Sequence, residues 1–203
     1  MFLVVDAYSQ ESKTRAKRIT RLKEFFPGKT VSLDGLPESE AEAKHLLERV
    51  RGVVVSGTNL RPEEISGKTG VSKLELLLKT SIAGKKPVMG ICFGGHVLLN
   101  MHGSTLKQVR CTPRQTRLEA LYIHSRDAIT SGLQQNQAIV STTLYEVIAS
   151  PFELIASANN APRLLKSRDG PYYAVLFHPE TLHGKAQTAG KRVLENFKKI
   201  CLT

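Results

Sequence analysis

The chain has 203 residues, 41% of them hydrophobic and 23% charged, which is typical of an ordinary globular protein. No apolar run approaches the roughly 20 residues of a membrane-spanning helix, and the opening residues MFLVVDAYSQ lack the basic segment and cleavage site of a secretory signal. With no linker to divide it, the chain is predicted to form a single domain over residues 1–203, with no membrane partner.

The charge of the chain is unusual. It has 29 Lys and Arg residues against 18 Asp and Glu, which gives a formal net charge of +11. An excess of this kind can serve an anionic partner, such as a nucleic acid or an acidic protein face. The cations are spread along the chain, however, and aromatic residues that could stack on bases make up only 6% of it. A basic, solvated surface is therefore favoured over nucleic-acid binding.

Strands and helices alternate through the first half of the chain. Sequence patterns predict strands at residues 2–5, 30–33, 52–55 and 88–91, and helices at residues 9–26, 38–50 and 72–83. Such alternation predicts a parallel sheet covered by helices on both faces. Asp6 ends the first strand, at the edge of the sheet where ligands and catalytic groups gather. The first helix carries the densest group of cations: Lys13, Arg15, Lys17, Arg18, Arg21 and Lys23.

The pattern changes after Gly103. Residues 105–123 and 137–158 are shorter β-prone segments with turn signals, which predict an antiparallel excursion from the main sheet. A core strand at residues 172–177 and a helix at residues 187–200 complete the chain. We therefore predict an α/β fold: a three-layer open sheet, mostly parallel, with a small antiparallel excursion.

The three cysteines, Cys92, Cys111 and Cys201, are odd in number and widely spaced. This pattern argues against a disulfide framework and a zinc site, and it favours a reducing, cytoplasmic location. No cluster of His, Cys, Asp and Glu has the spacing of metal ligands, so no metal site is predicted.

The stretch around Cys92 carries the clearest chemical signal. A short buried strand runs into Gly90-Ile91-Cys92-Phe93-Gly94, the thiol version of the G-x-S-x-G nucleophile elbow, and then into a helix. Such a turn holds its nucleophile in a strained conformation, and the helix N-terminus beyond it favours the thiolate. It also leaves the amide of Phe93 to face a developing oxyanion. On its own, the motif is equally consistent with a buried structural cysteine.

A base for this thiol follows the last core strand, in Phe177-His178-Pro179-Glu180. His178 and Glu180 are two residues apart in an extended segment, so Glu180 can fix the tautomer of His178. Cys92 and His178 are distant in sequence, but both follow core strands at the same edge of the sheet. We therefore predict a triad of Cys92, His178 and Glu180.

Together, GICFGG and AVLFHPE resemble the motifs of the class I (triad) glutamine amidotransferases, and the resemblance covers almost the whole chain. The opening Val5-Asp6-Ala7-Tyr8-Ser9-Gln10, the segment Val54-Val55-Ser56-Gly57 and the tail with Asn196-Phe197 resemble corresponding family segments. The nearest likeness is to the stand-alone glutaminase subunit of a two-subunit GMP synthetase. The resemblance implies the flavodoxin-like fold of this family.

The resemblance also implies a reaction. Cys92 would attack the side-chain amide of glutamine, and His178, oriented by Glu180, would protonate the departing ammonia and then activate water. The ammonia would pass to a synthetase partner, such as GMP synthetase. The glutaminase half would need no metal and no organic cofactor, because ATP and Mg²⁺ would belong to the partner.

The resemblance assigns further roles at the same site. Backbone amides of Phe93, Gly57 and Thr58 would form the oxyanion hole. The candidate substrate-binding residues are Gly94, His96, Ser141 and Thr142.

The chain departs from the family pattern at three places. His96 stands where the family has Gln in Cys-x-Gly-x-Gln, and Thr58 replaces the second glycine of the oxyanion loop. Relatives tend to carry Ser-His-x-Asp-Glu-Val where this chain has Ser141 followed by Thr142 and Thr143. These departures concern substrate binding, so two alternatives to a glutaminase stay open. One is a hydrolase of the same triad acting on another γ-glutamyl compound or amide, and the other is a non-catalytic protein with a binding or regulatory role.

Overall fold

The computed structural model describes residues 1–8, 12–58, 69–108, 116–142, 145–181 and 184–203. Cys111, Thr143 and residues 9–11, which were predicted to begin the first helix, lie outside these ranges. Within the described residues, no helix is long and apolar enough to cross a membrane.

All of the predicted helices and strands are present, with shifts of a few residues at their ends. The helices are α1 (Lys13–Phe25), α2 (Glu40–Leu47), α3 (Thr69–Ala83), α4 (Phe93–Met101) and α5 (Gln187–Ile200). The strands of the first half are β1 (Phe2–Asp6), β2 (Gly28–Ser32), β3 (Val53–Val55) and β4 (Val88–Ile91). Those of the second half are β5 (Thr105–Gln108), β6 (Arg117–Ile123), β7 (Gln137–Ser141), β8 (Tyr145–Ala149), β9 (Glu153–Ala158), β10 (Ala161–Lys166) and β11 (Tyr172–Val175).

Nine of the described strands form one sheet, in the order β2-β1-β3-β4-β11-β10-β9-β6-β7. The strands from β2 to β11 in this order are parallel, and β10, β9, β6 and β7 continue the sheet in antiparallel fashion. β5 and β8 pair in a separate antiparallel sheet. The predicted α/β fold with a parallel core is confirmed. Most of its antiparallel excursion is continuous with the main sheet, and the β5–β8 pair is separate from it.

Helices cover both faces of the parallel strands. On one face, α1 and α5 bury Leu22 and Phe197 in a cluster with Met89 of β4. On the other face, α3 and α4 bury Leu74 and Leu98 in a second cluster. Because successive side chains of a strand point to opposite faces, β1 contributes alternately to the two clusters. This double coverage explains why the parallel strands are continuous apolar runs in the sequence.

The predicted start of β2 was wrong by two residues. The strand begins at Gly28 rather than at residue 30, because it pairs with β1 from Gly28 opposite Phe2 to Ser32 opposite Asp6. β2 stands at one end of the sheet order, and its residues are exposed or only partly buried. Hydrophobicity therefore marks only its centre, and the strand pairing sets its bounds.

The carboxyl ends of four neighbouring parallel strands meet at one edge of the sheet. β1 leads to Tyr8, β3 to Gly57, β4 to Cys92 and β11 to His178. Because these strands are adjacent and parallel, the residues that follow them come together at this edge.

Candidate active site

Cys92 stands at a tight turn between β4 and α4. Its φ of 48° and ψ of −100° place a non-glycine residue in a strained backbone conformation, at a cost of about 1–3 kcal/mol. Backbone hydrogen bonds hold the turn on both sides. The amide of Cys92 donates to the carbonyl of Val175 over 2.8 Å, and its carbonyl accepts from the amide of His96 over 3.0 Å. The side chain is only partly buried, so the sulfur is accessible.

Glycines on both sides of Cys92 make this turn possible. A Cβ atom on Gly90 would lie 2.4 Å from the carbonyl carbon of Gly94, and one on Gly94 would lie 2.6 Å from Cβ of Val55. Neither contact is tolerable, so α4 can approach β4 and β3 only with glycine at both positions. Gly94, a candidate substrate-binding residue, is thus a close-packing position between α4 and β3.

His178 and Glu180 lie next to each other beyond the end of β11. The amide of His178 donates to the carbonyl of Val140 over 2.7 Å, and its Nδ1 is 2.8 Å from Oε1 of Glu180. A second hydrogen bond joins the imidazole to the side chain of Cys92. Since Glu180 occupies Nδ1, Nε2 is the ring nitrogen left for the thiol. The three residues of the predicted triad therefore form one connected chain.

The charges of Cys92, His178 and Glu180 stabilise one another. Burial alone would lower the pKa of His178, but the Glu180 carboxylate and the Cys92 sulfur raise it from 6.5 to about 9. Burial would raise the pKa of Glu180, but the positive charges of His178 and Arg18 hold it below its usual value. At neutral pH the imidazole is therefore a cation beside the sulfur, an arrangement that favours a thiolate.

A cavity of about 320 Å³ opens beside Cys92 and His178. This volume is at the lower end of the range for small-molecule sites. Nine described residues line it: Tyr8, Ser12, Thr14, Arg18, Thr58, Cys92, Thr116, Thr142 and His178. Within the described parts of the chain, no three His, Cys, Asp or Glu residues are grouped so as to hold a metal ion.

The candidate oxyanion residues lie close to the thiol. The Ser56 hydroxyl fixes the loop after β3, because it accepts from the amide of Ala7 over 2.9 Å and donates to the carbonyl of Gly57 over 2.8 Å. A Cβ atom on Gly57 would lie 2.9 Å from Cε1 of His178 and 3.5 Å from Cβ of Cys92. Thr58 lines the cavity. Phe93 is the first residue of α4, so its amide has no acceptor within the helix.

Of the other candidate substrate-binding residues, Thr142 lines the cavity, whereas His96 and Ser141 do not. Thr142 lines the cavity, and its carbonyl is 3.6 Å from Sγ of Cys92. His96 is not among the lining residues: it is 8% exposed, and its ring packs 5.3 Å from the ring of Tyr145. Burial lowers the pKa of His96 to about 4. Ser141 is also buried away from the cavity, with its hydroxyl bonded to Glu119.

Residues 3–200 match the sequence profile of the family Glutamine amidotransferase class-I. The chain belongs to the class I glutamine amidotransferases. The predicted resemblance to this family is therefore confirmed over nearly the whole chain.

Curated amidotransferase relatives include enzymes of GMP synthesis. The chain is 28% identical over 201 residues, or 96% of its length, to "GMP synthase [glutamine-hydrolyzing]" of Francisella tularensis subsp. novicida. It is 27% identical over 203 residues, or 98% of its length, to the protein of the same name from Porphyromonas gingivalis. The alignments cover only 35% and 36% of these relatives, so the chain spans little more than a third of their length.

Solved structures support the amidotransferase fold. A Thermoplasma acidophilum protein, provisionally assigned as one subunit of a GMP synthase, aligns with a TM-score of 0.76 and 21% identity over 100% of this chain and 94% of its own. A glutamine amidotransferase from Methylobacillus flagellatus aligns with a TM-score of 0.70 and 12% identity over 97% of this chain and 92% of its own. These similarities confirm the predicted fold class.

Five residues that line the amidotransferase cavity are absent from the sequence-based set of site residues: Tyr8, Ser12, Thr14, Arg18 and Thr116. Nη1 of Arg18 donates to Oη of Tyr8 over 2.9 Å, and Nε of Arg18 is 3.7 Å from Oε1 of Glu180. Tyr8 follows β1 at the same sheet edge as Cys92, a position that could have drawn attention to it. Arg18 had no such signal, because it is one of six cations in α1.

Asp6 holds this side of the amidotransferase site together. Its Oδ2 accepts a hydrogen bond from Nε of Arg15 over 2.9 Å and forms an ion pair with Nη2 of Arg15, also at 2.9 Å. Its Oδ1 accepts from the amide of Tyr8 over 3.1 Å. Asp6 therefore joins the end of β1 to α1. Its location at the sheet edge agrees with the sequence-based expectation, but among the described contacts its role is structural.

Proposed function

We propose that this chain is a glutaminase, which hydrolyses the side-chain amide of glutamine and delivers the ammonia to a synthetase partner. The observation that carries the proposal is the chain of hydrogen bonds from Glu180 through His178 to Cys92, beside an accessible cavity. Membership of the class I amidotransferase family supports the same chemistry.

The first half of the reaction forms a thioester. The Cys92 thiolate attacks the amide carbon of glutamine, and the carbonyl oxygen becomes an oxyanion held by the backbone amides of Phe93 and the Gly57-Thr58 loop. Protonated His178 then gives its proton to the nitrogen of the tetrahedral intermediate. The carbon–nitrogen bond breaks, ammonia leaves, and the glutamyl group remains on the sulfur.

The second half of the reaction hydrolyses the thioester. His178, now neutral, removes a proton from a water molecule that attacks the thioester carbon. The carbon–sulfur bond breaks, glutamate leaves, and the imidazolium beside a thiolate is restored. Glu180 holds His178 in one orientation through both halves and stabilises its charged form. Cys92 must stay reduced throughout, which a reducing cytoplasm provides.

The ammonia needs an acceptor. The relatives named GMP synthase are much longer than this chain, which aligns with 35–36% of their length. A synthetase partner would supply the remaining chemistry, and GMP synthetase is the partner that these relatives favour. No cofactor is needed for the glutaminase half, and ATP and Mg²⁺ would act in the partner.

One observation favours a second candidate, a hydrolase for another γ-glutamyl compound or amide. His96, which stands where the family pattern has Gln, is buried and does not line the cavity. A contact to the substrate is thus altered while the triad is retained. A panel of γ-glutamyl peptides and amides tests this candidate, and glutamine should be the poorer substrate if it is correct.

The deciding experiment combines turnover with covalent labelling. Ammonia release from glutamine is measured for the wild type and for Cys92→Ala, alone and with a candidate synthetase. A chloroketone analogue of glutamine is added in parallel, and its adduct is mapped by mass spectrometry. We expect a stoichiometric adduct on Cys92 and no ammonia above background from Cys92→Ala.

Cys201 is an internal control for the labelling. It is buried, and burial raises the pKa of its thiol to about 12, so it should stay unlabelled. Equal ammonia release from the wild type and Cys92→Ala, or an adduct spread over several cysteines, would contradict the proposal.

A further inference from the structure

We infer that Arg18 and Tyr8 form a carboxylate-binding pair, which makes the enzyme selective for γ-glutamyl amides that carry a free α-carboxylate. This inference rests on the proposed function, because it identifies the part of the substrate that the same cavity recognises. It names two specificity-determining residues outside the catalytic triad.

Arg18 and Tyr8 are placed to meet a substrate bound at Cys92. Both residues line the cavity that contains the thiol. The Arg18 side chain is only 16% exposed, and Nη1 donates to the Tyr8 hydroxyl over 2.9 Å. Within the described part of the chain, Nη2 of Arg18 donates no hydrogen bond. The guanidinium therefore keeps donors for a ligand while Tyr8 fixes its orientation.

Tyr8 adds a second donor. Its oxygen accepts the hydrogen bond from Arg18, so its own proton is available to another acceptor. Burial raises the pKa of Tyr8 to about 12, so the proton is kept at neutral pH. A guanidinium N–H and a phenol O–H side by side match the two oxygens of a carboxylate. A neutral carboxamide in the same place would lose the charge on these bonds.

The nearby charges leave Arg18 available to an anion. Among the described residues, its closest anionic neighbour is Glu180, at 3.7 Å, but Oε1 of Glu180 makes the shorter contact of 2.8 Å with His178. The first turn of α1, from which Thr14 lines the cavity, contains no acidic residue. An anionic group at the guanidinium therefore meets no acidic side chain from this turn.

The position of the pair suits the shape of glutamine. The α-carboxylate is separated from the amide carbon by a short aliphatic chain, so a group that binds it must lie near the nucleophile without touching it. Tyr8 and Arg18 each interact electrostatically with Cys92, and their side chains hydrogen-bond to each other rather than to the thiol. His96 is not among the residues that line the cavity, whereas Tyr8 and Arg18 are.

The test compares two substrates that differ only in this group. L-Glutamine and its α-amide, in which the carboxylate becomes a neutral carboxamide, are given to the wild type, Arg18→Met, Arg18→Lys and Tyr8→Phe. Arg21→Met is the matched control, because Arg21 lies on the same helix and pairs with Glu24 at the surface. Thermal unfolding checks that each variant is folded.

The expected result is a change in KM that depends on the carboxylate. Arg18→Met should raise KM for glutamine by about 10- to 100-fold, the size of a lost charged hydrogen bond, with a smaller effect on kcat. KM for the α-amide should change less than threefold. Arg18→Lys should recover part of the preference, because it keeps the charge, and Arg21→Met should behave as the wild type.

A labelling assay separates this inference from the proposed function. The chloroketone analogue of glutamine and its α-amide are compared for their rates of reaction with Cys92. If the wild type reacts with the chloroketone but releases no ammonia from glutamine, the glutaminase proposal fails. The ratio of the labelling rates of the chloroketone and its α-amide then still shows whether Arg18 recognises the carboxylate. An Arg18→Met variant that slows both reagents or both substrates equally would overturn the inference, since Arg18 would then act through Glu180. The inference would also be overturned if Arg18→Met and the wild type gave the same ratio of the two labelling rates.

Discussion

Nδ1 of His178 lies 2.8 Å from Oε1 of Glu180, and both side chains are almost completely buried. An unpaired ion would be costly in such surroundings, so each charge depends on the other. The carboxylate keeps the proton on Nδ1 and leaves Nε2 facing the Cys92 thiol. We therefore expect the reactivity of the sulfur to depend on a carboxylate that is bonded to the imidazole rather than to the sulfur.

Replacing this carboxylate by an amide tests its role. Glu180→Gln should lower kcat for glutamine by about 10²- to 10⁴-fold, because the neutral amide neither stabilises the imidazolium nor fixes its proton. KM should change little, since Glu180 is not among the residues that line the substrate cavity. Steady-state kinetics measure both constants. Glu24→Gln, at the exposed surface of α1, is the control, and an unchanged kcat for Glu180→Gln would refute the role.

The pH dependence of the reaction should report the same pair. In the proposed mechanism, His178 gives its proton to the nitrogen of the tetrahedral intermediate. Burial alone would lower the pKa of His178, but Glu180 and Cys92 outweigh burial and raise it from 6.5 to about 9. The rate constant kcat/KM should therefore fall as pH rises through about 9, where the acid is lost. In Glu180→Gln the remaining activity should fall at lower pH, because removing the anion lowers the pKa of His178. If kcat/KM falls at the same alkaline pH in the wild type and in Glu180→Gln, the fall does not report the ionisation of His178.

The proximity of Cys92 and His178 could be predicted because both residues closely follow apolar strands. Val88–Ile91 leads to Cys92, and Tyr172–Val175 is followed closely by His178. In a parallel sheet these positions share an edge, whatever their separation in sequence. The pairing of β4 with β11 brings the two together.

The part of the cavity wall that α1 contributes could not be predicted in the same way. In α1, cations occupy positions all around the helix, so the pattern does not distinguish the half-buried Arg18 from the exposed Lys17. The rotation of α1 about its axis determines which of its cations faces the cavity. This rotation is set by the burial of Ile19 and Leu22 and by the Asp6–Arg15 contact. The Asp6–Arg15 contact joins β1 to α1, so the pattern within α1 alone does not reveal it.

His96 shows a different limit of sequence reasoning. Its position in the motif suggested a substrate contact, but α4 is buried from Phe93 to Leu99, so most of its residues face protein. The imidazole packs against Tyr145, and its Nε2 has no hydrogen-bond partner among the described residues. The pairing of β8 with β5 brings Tyr145 next to His96, and the motif alone does not reveal this pairing.

This buried imidazole should make the protein sensitive to acid. Burial lowers the pKa of His96 from 6.5 to about 4, so between these values the unfolded chain binds a proton that the folded protein does not. Stability should therefore fall as pH drops from 6.5 to 4, by about 3 kcal/mol at most from this residue. Urea unfolding of the wild type and His96→Gln measures the difference. The variant should lose less stability over this range, and parallel curves would contradict the prediction.

Gly57 tests how closely the loop after β3 approaches the triad. A Cβ atom there would lie 2.9 Å from Cε1 of His178, so Gly57→Ala should displace the imidazole from Cys92. We expect kcat to fall by about 10²-fold, as for other small misplacements of catalytic groups, and stability to fall by about 1–3 kcal/mol. Gly35→Ala is the control, because its new Cβ would lie no closer than 3.3 Å to a side-chain atom of Val31. A fully active Gly57→Ala enzyme would show that the ring has more room than this contact allows.

A buried ion pair supports the antiparallel side of the site. Nε of Arg163 donates to Oε2 of Glu119 over 2.7 Å, and its Nη2 donates to Oε1 over 3.0 Å. Glu119 also bonds the hydroxyl of Ser141, next to Thr142 in the cavity wall. Arg163→Met would leave a buried carboxylate without its counter-ion, so the free energy of unfolding should fall by about 3–5 kcal/mol.

The double variant Glu119→Gln/Arg163→Met separates the ion pair from ordinary packing. Because it removes both charges, it should be more stable than Arg163→Met alone, although the second change removes a hydrogen-bond acceptor. Urea unfolding of the wild type, both single variants and the double variant gives the coupling energy. If the double variant is no more stable than Arg163→Met, the loss comes from the packing of the Arg163 side chain rather than from an unpaired charge on Glu119.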